Sequence, residues 1–414
     1  MSPLRESIYR LLRSSERYTK TDMVYLFQSG FWLQATSVCI TLGSFLVYVV
    51  FGHVLPKDVY GNYQYLLSLG AVASAFTMTG MNSALIRSIA RGFEGTFLAS
   101  LRIQLQWAVV PLLGAWALGG YYLFMHNVTL GWGLMLIGVF VPFNTTFNTF
   151  GAYLNGKKDF RRSFYYYVFF VNMPYFIAVA LVAVSLKTAL ALLAANLIAQ
   201  ALGYWVAHRR TVAAYHPQGA VDPEVTRYAW HLTVINFLGV IMGQLDNILV
   251  FHFLGAADLA LYSFATAVPT RLGIFKNIAI AAFPKYAEKS QEDARASILR
   301  KVLLGMAGLL VISLVYILLA HPFFAVFFPR YLDAVPYSQV FALVTVITFS
   351  SLFVTMLTAQ GHVRRLYAYN VASPLVILGS ELVGITQWGL WGLIYAVLFS
   401  SLANSLLSAG LALW

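Results

Sequence analysis

Long apolar runs separated by short polar or basic stretches dominate this chain. Each run can cross a ~30 Å hydrocarbon core, which takes about 20 helical residues. The pattern predicts twelve transmembrane helices, roughly 24–51, 59–83, 98–124, 128–154, 164–186, 188–207, 229–254, 257–283, 300–320, 336–359, 365–385 and 389–413. The fifth and sixth are separated only by the region of Lys187. The first apolar run begins after residue 23 and is too long for a signal-peptide core, so a retained first span is expected. In residues 1–23, Leu4, Ile8, Leu11 and Leu12 fall at helical spacing opposite Arg5, Arg10, Arg13 and Arg17. That arrangement fits an interfacial amphipathic helix, and equally a partly disordered basic tail.

Polar positions inside the spans also follow a helical period. Gln34, Ser37, Thr41, Ser44 and Tyr48 share one face of the first span. Asn144, Asn148, Gly151 and Asn155 share one in the fourth, as do Thr233, Asn236, Gln244 and Asn247 in the seventh. Thr348, Ser351, Thr355 and Thr358 do so in the tenth. Such side chains can serve helix packing. As a set that includes several Asn and Gln, they predict a hydrated cavity.

The costliest residues lie in two spans, read from about Leu232 to Lys285. Asp246 is in the first; Arg271, Lys276 and a kinking Pro269 are in the second. A cation at the bilayer centre costs at least ~2.5 kcal/mol, so it normally faces protein or a water-filled cavity. Arg271 and, on its flank, Lys276 are therefore candidate anion-binding residues. Asp246 sits off its helix's polar stripe; it either pairs with Arg271 or another donor, or acts as a coupling carboxylate. Glu381, near the outer end of the eleventh span, is expected at the interface.

Composition sharpens this picture. The 414 residues are 60% hydrophobic and 10% charged, against roughly 25% charged in soluble domains, which places the chain in a membrane. A net charge of +12 raises the question of nucleic acid, but 22 of the 27 Lys and Arg fall in loops on one side. Only Lys57, Lys187 and Arg330 lie on the other, so the positive-inside rule makes the basic face and both termini cytoplasmic. No nucleic-acid partner is needed. The single Cys39 excludes a disulfide framework, no phosphate-cradling Gly-rich loop is present, and no His/Cys/carboxylate cluster has metal-ligand spacing. No loop has room for a catalytic domain. The chain is expected to be no enzyme and to use no cofactor.

Two internal echoes suggest duplication. Leu55–Tyr63 (LPKDVYGNY) parallels Leu254–Tyr262 (LGAADLALY) at an offset of 199; Arg161-Arg162 parallels Arg364-Arg365 at 203. The expected fold is all-α and polytopic, with two pseudo-symmetric six-helix bundles around a central cavity. Residues 1–23 form the N-terminal segment, 24–210 the N-lobe, 211–228 a cytoplasmic linker and 229–414 the C-lobe. Transporters built from parallel repeats bind substrate between them and alternate access.

The runs LPKDVYGNYQYLLSL, GMNSALIRSIARG, DNILVFHFLGAADLALYSFA and FPKYAE resemble the polysaccharide transporters. These are the Wzx-like flippases of lipid-linked oligosaccharides, in the superfamily that also holds multidrug exporters and lipid II flippases. The resemblance implies export of an undecaprenyl-pyrophosphate-linked oligosaccharide across a cytoplasmic (inner) membrane, for O-antigen, capsule or exopolysaccharide. Implied partners are that lipid-linked glycan, membrane lipids, a polymerase and chain-length regulator of the same pathway, and H+ or Na+. Arg271 and Lys276 are then expected to meet the pyrophosphate. Arg87 and Arg91 match the basic end of the family's second span, near the cytoplasmic mouth. The chain lacks the length for the two extra helices of lipid II flippases, which argues against lipid II. Asn, Gln and Thr side chains suit sugar hydroxyls, and a guanidinium suits a phosphate. A cation-coupled small-molecule antiporter and a non-transporting scaffold of a glycan assembly complex are the alternatives.

Overall fold

The computed structural model describes residues 23–272, 291–360 and 362–413, and among them there is no strand. Backbone in hydrocarbon must satisfy its own N–H and C=O groups, and an α-helix does so within one segment. Residues 1–22, Lys276 and the FPKYAE motif at 283–288 lie outside the described residues.

In chain order the helices are α1 (Met23–Val54), α2 (Lys57–Ala75), α3 (Met81–Ala90), α4 (Thr96–Trp107), α5 (Val109–Phe124), α6 (Val128–Phe147), α7 (Thr149–Gly156), α8 (Phe160–Tyr165), α9 (Met173–Ser185) and α10 (Ala189–Tyr215). After these come α11 (Val225–Met242), α12 (Leu245–Leu254), α13 (Ala256–Ala267), α14 (Pro269–Leu272), α15 (Gln291–Phe327), α16 (Val335–Ile347), α17 (Ser351–Ala359) and α18 (Val363–Leu413). Among the described residues, nine helical stretches are long and apolar enough to cross a membrane. Ala189–Tyr215 is one of them, and it is set off from Phe160–Ser185 by a turn in which Lys187 takes a positive φ of 52°. The chain is a multi-pass membrane protein.

Regular helix is interrupted at several places that position side chains. The expected second span is broken, since the helix ends at Ala75 and resumes at Met81. Pro174 lacks the N–H that would bond back along the helix, and a π-helical turn, Tyr166–Asn172, runs up to α9 just before it. Gly389, at φ 61° and ψ −140°, turns α18 back on itself, so that Gly384 packs directly against Gly392. A side chain at Gly389 would clash with the backbone in that conformation.

The described residues group into two compact units, one within Met1–Val50 and Gly70–Ile241, the other within Phe51–Leu69 and Met242–Trp414. In the first, Leu85, Phe97, Phe150, Tyr153, Leu154 and Val171 form one core, and Met78, Met81, Ala84, Val225 and Ala229 form another. In the second, Phe264 stacks on Tyr331 at 3.8 Å and meets Tyr60 at 4.9 Å, with all three rings buried.

Candidate functional site

The second unit holds a carboxyl pair. The long apolar helix breaks between Met242 and Leu245, and Gln244, Asp246 and Asn247 lie at the break. Interrupted helices of this kind expose backbone and polar side chains where membrane transporters bind ions. Asp246, in the first turn of α12, accepts a 2.5 Å hydrogen bond from the Tyr262 hydroxyl on α13. Glu381 on α18 is only 2% exposed and comes within hydrogen-bonding reach of Asp246. Its Oε2 has no partner among the described residues. Two carboxyl groups in contact in an apolar interior cannot both stay charged without a proton or cation between them. Glu381, expected at the interface, is enclosed by protein in its unit, on the stretch of α18 before the turn at Gly389. Asp246 takes its hydrogen bond from Tyr262, not from Arg271.

Next to this pair, Asn247 donates through Nδ2 to the Ser68 hydroxyl at 3.0 Å and, at 3.5 Å, to the Gln244 side-chain oxygen. Arg271, in α14, is exposed and makes no ion pair or side-chain hydrogen bond with any described residue. The Pro269 carbonyl that begins its turn accepts a hydrogen bond from Thr345 on α16. Lys276 is outside the described residues.

The first unit carries a basic clasp. Arg87 and Arg91 are exposed on the last turn and cap of α3, with Arg87 4.6 Å from the centre of the Tyr228 ring. Between α10 and α11 the chain brings in Asp222, which is 6% exposed. Its carboxylate accepts from the Ser88 hydroxyl at 2.7 Å and from the Glu224 amide at 3.0 Å, while its own amide donates to the Thr96 hydroxyl. Burial raises the Asp222 pKa, but those hydrogen bonds, with Arg91 and Arg87 nearby, outweigh it and hold the group below its ordinary value. In the same unit, Glu94 pairs with Lys157. That hydrogen bond, opposed by burial and aided by Tyr153, holds the Glu94 carboxyl low.

The fourth-span stripe is not one open surface. Asn144 is buried and donates to the Leu197 carbonyl on α10 at 3.4 Å, while its side-chain oxygen has no partner among the described residues. Asn148 is half-buried and accepts from the Tyr167 hydroxyl at 2.7 Å, a ring that the π-helical turn carries over Gly151. Gln34, Thr41 and Asn236 are exposed.

A family model described as "Polysaccharide biosynthesis protein" matches residues 50–336, most of the chain. This chain belongs to the polysaccharide biosynthesis protein family. No curated protein matches it. Its fold is that of MOP-superfamily transporters. An inward-facing multidrug-resistance MATE transporter is similar at TM-score 0.69 and 12% identity, over 90% of this chain and 93% of its own. The lipid II flippase MurJ in an inward closed conformation is similar at 0.64 and 12%, over 91% and 86%. A MOP transporter from Pyrococcus furiosus Vc1 is similar at 0.60 and 13%, over 94% of each chain.

Two groups of this family member are poorly signalled by the sequence. Glu381 carries a signal, being a lone carboxylate in an apolar span, but its position along the span suggests the interface. Asp222 carries none: a short loop with Pro217, Gly219 and Pro223 reads as an ordinary connection, and its burial depends on α3 and α4, more than 120 residues earlier.

Proposed function

We propose that this protein flips undecaprenyl-pyrophosphate-linked oligosaccharides from the inner to the outer leaflet of a bacterial or archaeal cytoplasmic membrane. The product feeds synthesis of O-antigen, capsule or exopolysaccharide. Family membership points to the pathway, and the fold shared with a lipid II flippase points to a lipid-linked cargo. The observation that carries the reading is Arg271, an exposed guanidinium without a partnering carboxylate among the described residues. Pyrophosphate is the ligand such a group pairs with best, through two parallel charge-assisted hydrogen bonds.

In this reading twelve spans form two lobes, 24–210 and 229–414, that alternate access with both termini cytoplasmic. Arg87 and Arg91 attract the anionic head group at the cytoplasmic side, and Arg271 with Lys276 receives its phosphates. Gln34, Thr41, Asn148, Asn236, Gln244 and Asn247 offer hydrogen bonds to sugar hydroxyls. The Asp246–Glu381 pair exchanges the H+ or Na+ that drives the cycle. The test is Arg271→Ala in cells. Loss of surface glycan at normal protein level supports the proposal, and normal glycan sinks it. The carboxyl pair and the MATE-like fold favour one second reading, a cation-coupled small-molecule antiporter. Retained glycan with lost drug resistance in the same variant selects it.

A further inference from the structure

Asn148 sits at the joint between α6 and α7 in the first unit, half-buried, and its side chain does not cap the helix that starts there. Its Oδ1 accepts the Tyr167 hydroxyl at 2.7 Å, and its Nδ2 has no hydrogen-bond partner among the described residues. That separation is the usual length of an O–H···O bond and short for N–H···O, so the amide oxygen is the atom that faces the phenol. The two N–H donors of Asn148 are thereby turned away from Tyr167.

The place of Tyr167 is fixed from several sides. It lies in the π-helical turn Tyr166–Asn172, whose wider turn takes its ring out of α-helical register. Asn172 donates its side-chain amide to the Tyr167 carbonyl at 2.7 Å and so braces that turn. On α7 the hydroxyl rests where Gly151 has no side chain: a Cβ there would lie 2.1 Å from it. On α10, Gly203 admits the turn's own backbone, since a Cβ at that position would meet the Phe170 carbonyl at 2.3 Å. The buried Phe150 ring packs 4.8 Å from the Tyr167 ring. Turns of this kind are rare, and strained backbone persists only where its surroundings hold it. Two glycines and a carboxamide hold this one, and its hydroxyl is delivered to Asn148.

We propose that Tyr167 is a positioning residue whose hydroxyl locks the Asn148 amide with its donors toward the ligand, and that the head-group atom met there is a hydrogen-bond acceptor. This rests on the reading of Asn148 as a contact to the lipid-linked glycan. A free carboxamide can turn to offer either its oxygen or its nitrogen, and so serves donors and acceptors alike. A locked one offers N–H alone. It therefore selects an oxygen that carries no proton, either a sugar acetamido carbonyl or a phosphate oxygen, over a group that must donate.

The test measures KM and kcat for leaflet transfer of a polyisoprenyl-pyrophosphate glycan in proteoliposomes. Tyr167→Phe keeps the ring and removes the hydroxyl. Its KM should rise about three- to ten-fold, as for loss of one neutral hydrogen bond, with kcat near that of the wild type. Asn148→Ala should raise KM at least as much, and adding Tyr167→Phe to it should change nothing further, because the phenol acts through the amide. Asn148→Asp puts oxygen where the donors were and should raise KM about ten-fold or more. A wild-type KM in Tyr167→Phe overturns the proposal. So does an equal penalty from Tyr167→Phe with Asn148 present or absent, which is what a packing role would give. If Tyr167→Phe does not fold, Asn148→Asp decides, and an unchanged KM overturns the proposal. Glycans with an N-acetylhexosamine or a plain hexose next to the pyrophosphate assign the oxygen. A penalty confined to the first marks the acetamido carbonyl, and an equal penalty in both marks a phosphate. A wild type that transfers neither glycan sinks the flippase reading and this inference with it; transfer with unaltered KM in Tyr167→Phe sinks the inference alone.

Discussion

The carboxyl group of Glu381 reaches that of Asp246 inside the second unit, although the two residues are on helices far apart in sequence. Tyr262 donates to Asp246 from a third helix, so three segments converge on one carboxyl pair. Replacing Glu381 by Gln keeps the shape and a hydrogen bond but removes a titrating group. The expected outcome is a folded protein whose transport no longer responds to an imposed H+ or Na+ gradient. Proteoliposome transport with and without each gradient checks it, and a preserved gradient response removes the pair from coupling.

Tyr262→Phe takes away one hydrogen bond to a carboxyl group and nothing else. Hydrogen bonds to charged groups contribute roughly 1.5–3 kcal/mol, with the upper part of that range applying only where Asp246 is the charged member. Thermal unfolding of the purified protein should therefore come at lower temperature. A melting curve identical to the wild type would mean that the hydroxyl contributes nothing at this site.

The clasp at Asp222 makes a pH prediction. Its carboxyl is held below the ordinary value in the folded chain, as is that of Glu94. A depressed carboxyl contributes stability that is fully present above its unfolded value, near pH 4, and is lost as pH falls through the folded value. Stability should thus be flat from neutral pH down to about pH 4 and decline below it. Asp222→Asn should flatten the acid decline and lower stability at neutral pH. Melting temperatures from pH 3 to 7 test the sign; a decline beginning near neutral pH would implicate other groups.

At Gly61 on α2, a Cβ would run into the carbonyl of Ala256 at the start of α13. That neighbour is backbone, so no side chain can swing aside. Gly61→Val should cost about 1–3 kcal/mol or prevent accumulation, as overpacking does. Gly30→Val is the control, since open space surrounds that position. Equal yields of both folded variants would contradict the close approach.

The period of apolar residues located most helices, because a spanning segment must be both long and hydrogen-bonded within itself. The division at Lys187 was legible for the same reason, as was a boundary between 385 and 389, next to the turn at Gly389. Which face of each helix points where was not legible. Lipid and protein interior are equally apolar, so a stripe such as Asn144–Asn148 gives a face and no direction. Asn144 addresses the Leu197 carbonyl, a partner fixed by how α6 packs on α10. Glu381 shows the same limit: its position along the span suggested an interface, and only the packing of α18 on α12 brings it to Asp246.

Under the proposed function, Arg271 receives the phosphates of a lipid-linked glycan. The most direct measurement of that role is leaflet transfer of a polyisoprenyl-pyrophosphate oligosaccharide in proteoliposomes, comparing wild type with folded Arg271→Ala. Loss of a charge-assisted pair worth roughly 1.5–3 kcal/mol predicts transfer reduced about ten-fold or more. Transfer at the wild-type rate by the Arg271→Ala protein would contradict it.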